Sequence, residues 1–316
     1  MNVLLTGRLA ESERNGWLLA LRRAAPWCAW WCDVDGEIPR DAIEVAVVAN
    51  PAPGALADLP RLRLVQSLWA GVEQLLADAT VPQHVPLARM VDPAMNAAMA
   101  ETALWAVLSV HRGFFDYAAQ QRAGEWRQHA QQRANEVSVL VLGFGQMGSA
   151  VAVRLAAQGY RVSAWRAVAA GARPAPASVD VHAGTDTLAM LLPSANVVVN
   201  LLPLTPATRG LLDTRFFAAL PGGASVVNLA RGAHVVDTDL LAALDCGHLH
   251  HAVLDVFDTE PLPADHRYWQ HPCVTVLPHV AALTDVRSAA QVAVANLLAV
   301  RDGTPITHRV DRERGY

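Results

Sequence analysis

Not one lysine occurs in the 316 residues, and every strongly basic side chain is an arginine. That excludes a lysine Schiff base and a P-loop lysine. Cysteine is scarce. Cys28, Cys32, Cys246 and Cys273 make neither a disulfide framework nor a repeated pair of metal ligands, so no metal is expected. No block of like charge is present and the net charge is only −4, which leaves nothing to hold nucleic acid or an acidic membrane surface. Polar residues interrupt the apolar stretches well before bilayer length, so no transmembrane helix is expected. The opening Met1-Asn2-Val3-Leu4-Leu5-Thr6-Gly7 lacks a basic leader and reads as a first strand rather than a signal peptide, which points to the cytoplasm.

What is present is an alternation of short apolar runs with helix-forming stretches, over a length that suits two domains. In the first hundred residues the runs Val3–Thr6, Cys28–Cys32, Val45–Ala49, Leu64–Trp69 and Leu87–Met90 read as strands, with a helix over Glu11–Ala24. A small parallel sheet covered by helices on both faces follows from that pattern. Met95–His111 then reads as one long helix, and the Gln- and Arg-rich stretch Arg112–Glu136, with Trp126 near its middle, as a solvated helix or arm. A second series carries strands at Val137–Leu142, Tyr160–Trp165, Val181–Ala183, Val197–Leu202, Ser225–Ala230, Ala252–Phe257 and Val274–Leu277. A final helix covers roughly Val286–Val300.

Gly143-Phe144-Gly145-Gln146-Met147-Gly148 follows the strand Val139–Leu142 and opens a helix, which is the context that a dinucleotide-binding G-x-G-x-x-G requires. Gly143 allows the tight turn, Gly145 lets a pyrophosphate approach the backbone, and Gly148 lets the helix pack on the strand. The helix N-terminus then meets the phosphate charge. An NAD site usually carries Asp or Glu at the end of the second strand, but here the residues are Ala164-Trp165-Arg166-Ala167 and the next acid is Asp180. Arg166 can pair with a 2′-phosphate, so NADP(H) is favoured and NAD(H) stays possible.

Three residues follow the ends of apolar runs in the second series: Arg231, Glu260 and His279. Open α/β sheets bind ligands outside the carboxyl ends of their strands, so a guanidinium, a carboxylate and an imidazole are brought to one crevice. Adding hydride to a 2-oxo acid builds alkoxide charge beside a carboxylate. His279 suits the proton transfer, Glu260 would orient it and stabilise the imidazolium, and Arg231 offers a planar fork of donors to the carboxylate. Asp255, in the apolar run Val253–Phe257, is costly to bury without a partner, and a nicotinamide carboxamide or ring edge would supply one. His250 and His251 compete for the role of acid, but they precede a strand and would lie at the wrong sheet edge.

These residues, with the stretches VLGFGQMGSA, NLLPLTPATRGLL, VVNLARGAHVV, LDVFDTEPLP and WQHPCVTVLPHVAA, resemble the D-2-hydroxyacid dehydrogenase family over essentially the whole chain. The resemblance implies an α/β fold of two Rossmann-like domains with a cleft between them. A flavodoxin-like substrate domain would comprise residues 1–98 and 286–316, and a dinucleotide-binding domain residues 99–285. It implies catalytic roles for Arg231, Glu260 and His279 and a nicotinamide contact at Asp255. Further coenzyme contacts are implied at Gln146, Met147, Leu202, Pro203, Thr208 and Ala230, beside Trp165 and Arg166. The carboxylate loop of the family matches Trp69-Ala70-Gly71-Val72, where backbone amides at a glycine turn can bind an anion. An aromatic wall over the substrate is expected from the first domain, and Trp31 is the candidate.

Within the family, LARGAHVV, WQHP…PHVAALT and the tail VDRERGY resemble the glyoxylate/hydroxypyruvate reductase A branch, which implies NADPH and small 2-oxo acids. That branch commonly has Trp-Ser-Arg where this chain has Trp165-Arg166-Ala167, so the guanidinium stands one position early. The stretch 112–136 resembles the family's dimerisation segment and implies a homodimer. Two other readings stay open from the residues. One is an NAD-dependent dehydrogenase of a larger D-2-hydroxy acid, and the other is a dinucleotide-sensing co-repressor without turnover.

Overall fold

The computed structural model describes residues 1–34, 36–167 and 176–315. It divides into two compact units, Met1–Met95 with Thr284–Tyr316, and Asn96–Leu283.

The first unit is built on five strands: β1 (Asn2–Gly7), β2 (Ala29–Cys32), β3 (Val45–Ala49), β4 (Leu64–Ser67) and β5 (Leu87–Ala88). All pair in parallel in the order β2-β1-β3-β4-β5. Every residue of β3 (VAVVA) is buried, as expected of a central parallel strand with both faces covered. The expected helix forms over Glu11–Ala24. The last helix, Val286–Asp302, starts at Asp285, whose carboxylate accepts from the Arg287 amide, and stops at Gly303 in the left-handed region. Its Ala289, Ala293, Leu297 and Val300 recur at helical spacing and are buried.

Leu87–Met90 pairs as a strand over only two residues. Beyond Ala88 the chain turns to another partner: Arg89 donates its amide to His308 O at 3.1 Å, and Met90 donates to Trp69 O at 3.0 Å. The C-terminal segment thus takes over the edge of the sheet, a pairing that local sequence does not encode.

The second unit carries β6 (Ser138–Leu142), β7 (Arg161–Arg166), β8 (Asp180–Ala183), β9 (Val197–Asn200), β10 (Ala224–Asn228), β11 (Leu249–Leu254) and β12 (Val274–Val276). They are all parallel, in the order β12-β11-β10-β9-β6-β7-β8. The strand order therefore reverses between β6 and β9, which makes the carboxyl end of β6 a topological switch point. Apolar residues of β6, β9, β10 and β11 fill two cores, one against each face. The long helix runs from Pro93 to His111. A second helix, Phe114–Ala123, ends at left-handed Gly124, and residues 125–133 continue without regular structure. Among the described residues no helix is long and apolar enough to cross a membrane.

Candidate active site

Because all seven strands of the second sheet are parallel, their carboxyl ends share one edge. The first feature there is the glycine turn after β6. Gly143 has φ +95°, and a Cβ on it would lie 2.6 Å from Leu201 O. A Cβ on Gly148 would lie 1.8 Å from Gly143 O, so the helix Gln146–Ala157 rests directly on the turn. Gly145 is different: its Cβ would meet nothing within 4 Å. Two glycines are consumed by packing and one faces open space, which is the division of labour a pyrophosphate cradle needs.

Arg166 ends β7, and its Nε is buried with no hydrogen-bond partner among the described residues. Trp165 is a core residue, 4% exposed, with its indole N–H on Gly184 O at 2.9 Å. The indole therefore packs the domain, and the Trp165 carbonyl accepts from the Gly143 amide at 2.8 Å. Thr208 is likewise committed to its own loop: its hydroxyl accepts from the Thr205 amide and donates to Pro203 O. Leu202 is buried and its amide donates to Asn200 Oδ1, while Ala230 donates to Asn228 Oδ1. Gln146 and Met147 are half-buried at the helix start.

Glu260 and His279 come together as expected. His279 Nδ1 lies 2.7 Å from Glu260 Oε2, and Glu260 Oε1 accepts from the Phe257 amide at 2.9 Å. Nδ1 thus carries the proton toward the carboxylate and Nε2 is left to face a substrate. The two side chains are 54% and 35% exposed, open to solvent and ligand.

His279 sits at φ +55°, unusual for a residue with a Cβ. Asp255 explains it. This residue is one past the end of β11 rather than inside the strand, and it is 1% exposed. Its carbonyl accepts from the His279 amide at 2.9 Å, and its two carboxylate oxygens accept from Val280 N at 2.7 Å and Ala281 N at 3.0 Å. Three bonds to consecutive amides bend the chain at His279. Burial pushes the Asp255 carboxyl above its usual range, with the two amides acting against that rise. The partner that burial demands is therefore in the chain itself, and a nicotinamide is not needed to supply it.

Arg231 follows β10 in extended conformation, half-buried, with Nη1 donating to Ala230 O at 2.6 Å. Sequence reasoning passed over Gly232 beside it, where a Cβ would lie 1.8 Å from the backbone of Phe257. The arginine turn is thus seated on the Phe257–Asp258 backbone that also holds Glu260. Asn200, Asn228 and His234, all fully buried, were missed as well. The tetrapeptide Val-Val-Asn-Leu occurs at both 198–201 and 226–229, and that repeat was the available signal.

His250 and His251 lie within β11, in its first half, rather than ahead of it. His250 faces Asp116 at 3.3 Å, while His251 stacks on Phe115 and bonds Thr275 Oγ1 at 2.9 Å. Burial, with His250 and His271 nearby, lowers the His251 pKa from 6.5 to about 4. Between those values the unfolded chain binds a proton that the folded chain refuses. Stability should fall as pH drops through that window, by about 3 kcal/mol in all. Urea unfolding from about pH 7 to about pH 4.5 should show this slope in the native protein and less of it in His251→Gln; equal slopes would refute the assignment.

In the first unit, the Trp69 amide is taken by Ser67 Oγ at 3.0 Å, whereas the amides of Ala70 and Gly71 have no partner among the described residues. Trp31 packs on the core, and its indole N–H reaches Asn2 Oδ1 at 3.2 Å. Asn2 begins β1, so the ring turns toward the amino edge of the sheet, and this geometry speaks against Trp31 as a substrate wall.

A coenzyme cradle at the switch point and an imidazole–carboxylate pair on the same sheet edge suit one class of protein: oxidoreductases that pass hydride between a nicotinamide and an oxygen-bearing carbon. Residues 104–281 match the family model for the D-isomer specific 2-hydroxyacid dehydrogenase NAD binding domain. The chain is 38% identical to glyoxylate/hydroxypyruvate reductase A of Serratia proteamaculans, over 100% of both chains. A D-isomer specific 2-hydroxyacid dehydrogenase from Xanthobacter autotrophicus, solved with NADPH and MES, superposes with TM-score 0.93 at 36% identity over 99% of each chain. The NADPH-dependent glyoxylate/hydroxypyruvate reductase of Sinorhizobium meliloti, solved with NADP and sulfate, superposes with TM-score 0.91 at 33% identity over 100% of this chain and 99% of that one. The chain belongs to the D-isomer specific 2-hydroxyacid dehydrogenase family.

Proposed function

We propose that the protein is an NADPH-dependent reductase of small 2-oxo acids, glyoxylate and hydroxypyruvate, yielding the D-2-hydroxy acid. The observation that carries this reading is the Glu260–His279 pair, held at the carboxyl edge of a sheet whose switch point bears an open glycine turn. When bound, NADPH supplies the hydride. Gly143, Gly145 and Gly148 would hold its pyrophosphate, and Arg166, whose buried Nε has no hydrogen-bond partner among the described residues, its 2′-phosphate. Arg231 binds the substrate carboxylate through its planar donors. His279 donates its Nε2 proton to the developing alkoxide oxygen, and Glu260 stabilises the imidazolium. Asp255 holds His279 in place through the Val280 and Ala281 amides.

Steady-state rates across a panel of 2-oxo acids, each with NADPH and NADH, test this function. Small acids and NADPH should give the highest kcat/KM. A preference for bulky acids with equal NADH efficiency would make the protein a dehydrogenase of larger acids. Coenzyme binding without turnover would make it a sensor.

The coenzyme preference has its own test. Arg166→Ala should lower kcat/KM for NADPH about tenfold or more, as expected for losing a charge-assisted hydrogen bond, and leave NADH nearly unchanged. Equal losses with both coenzymes would place Arg166 outside the phosphate site.

We also propose a homodimer formed through residues 112–136. Trp126 is 96% exposed, and Phe114 and Trp105 nearby in sequence are 53% and 42% exposed. An indole so open on a soluble protein is suited to burial by a second copy. Light scattering should give twice the chain mass for the native protein and a monomer, or a marked shift toward it, for Trp126→Ser; an unchanged mass would reject this surface. The four free thiols accord with a reducing cytoplasm.

A further inference from the structure

Beneath Arg231 lies a polar network sealed inside an apolar sheet. Asn200 and Asn228 are register partners at the ends of β9 and β10, and His234 closes the turn that follows Arg231. All three side chains are fully buried. Two backbone amides fix the orientation of the asparagines. Leu202 N donates to Asn200 Oδ1 at 3.2 Å, and Ala230 N donates to Asn228 Oδ1 at 3.2 Å.

With the oxygens fixed, the amide groups must donate. Asn200 Nδ2 gives one hydrogen to Asn228 Oδ1 and the other to His234 Nδ1, each at 3.0 Å. Asn228 Nδ2 gives one to Arg231 O at 3.0 Å. His234 Nδ1 is therefore an acceptor, and its proton belongs on Nε2, facing Pro203 O at 3.3 Å. The 3.2 Å approach of Nδ1 to Arg231 O is then a contact between two acceptors, bridged by the asparagine hydrogens. A chain of directed bonds thus runs from the loop after β9 to the backbone of Arg231.

We infer that His234 is a positioning residue for Arg231: in its neutral, Nε2-protonated form it takes the second Asn200 hydrogen and so anchors the Asn200–Asn228 amide chain, whose last bond holds the Arg231 backbone from which the guanidinium reaches the substrate carboxylate. Its neighbours leave no slack. The segment is pinned on the far side by Leu212 N on His234 O at 2.9 Å and Gly210 N on Ala233 O at 2.8 Å. Gly232 admits no Cβ. The inference rests on the assignment of Arg231 to the substrate carboxylate.

The test uses oxalate, a two-carbon mimic of glyoxylate, titrated into the NADPH-loaded enzyme. His234→Asn keeps an acceptor near the Nδ1 position and should bind oxalate close to the native level. His234→Gln keeps a donor toward Pro203 but loses that acceptor, and should bind oxalate about tenfold more weakly with NADPH affinity nearly unchanged. In an Arg231→Ala background, His234→Gln should cost nothing further, because it acts through the missing guanidinium. If His234→Gln does not fold, as read by thermal unfolding, Asn228→Ser carries the same expectation, since it removes the bond to Arg231 O. Native oxalate affinity in folded His234→Gln or Asn228→Ser, or an equal loss with and without Arg231, overturns the inference. Native oxalate affinity in Arg231→Ala alone defeats the assignment of Arg231, and the inference with it.

Discussion

Replacing His279 with alanine should lower kcat by about 10²- to 10⁴-fold, the range expected for removing a positioned general acid, while NADPH binds as before. The geometry is specific about why. Nδ1 is engaged by Glu260 at 2.7 Å, so only Nε2 is left to protonate an alkoxide. Glu260→Gln should also be severe. An amide can meet Nδ1 with either its oxygen or its NH₂, and the second choice selects the wrong tautomer. Rapid mixing with NADPH and glyoxylate reads the hydride step directly. A His279→Ala enzyme within a few-fold of native kcat would remove the imidazole from the mechanism.

The second large effect is expected at Asp255. Asp255→Asn keeps the shape of the side chain but replaces one acceptor with an NH₂ that faces the Val280 or Ala281 amide. A buried N–H then loses its partner, which costs about 1–3 kcal/mol of stability. More important is the release of His279, whose left-handed backbone depends on this carboxylate. We expect kcat to fall about a hundredfold, as for a general acid displaced from its reacting atom, with little change in NADPH affinity. Isothermal titration separates this from a direct nicotinamide contact. If NADPH affinity falls as far as kcat, Asp255 serves the coenzyme rather than the histidine.

The legible parts of the molecule were those in which a local pattern is also the physical cause. A strand running into Gly143-Phe144-Gly145-Gln146-Met147-Gly148 and then a helix encodes the turn by itself, and the glycines proved irreplaceable for packing at Gly143 and Gly148. The residues after β10, β11 and β12 could be placed because parallel strands put their carboxyl ends on one edge. Strand limits were less legible. Leu87–Met90 carries the right side chains, but its pairing ends where His308 intervenes, more than two hundred residues away in the chain.

The polar interior was the least legible part. Asp255 looked like a charge in search of a ligand because its partners, Val280 and Ala281, are 25 and 26 residues distant. Trp165 and Thr208 sit on motif positions, yet their polar atoms are spent on Gly184 and on Pro203 and Thr205. Side-chain chemistry can be read from sequence. Which acceptor it finds is decided by the fold.

In the proposed mechanism Arg231 holds the carboxylate while the Glu260-oriented His279 delivers a proton to the neighbouring oxygen. A crystal structure of the enzyme with NADPH and oxalate tests it most directly. The Arg231 guanidinium should pair with a carboxylate of oxalate and His279 Nε2 should lie about 3 Å from an adjacent oxygen, with Nδ1 still on Glu260. Oxalate bound away from Arg231, or a His279 ring turned from both oxalate and Glu260, would contradict it.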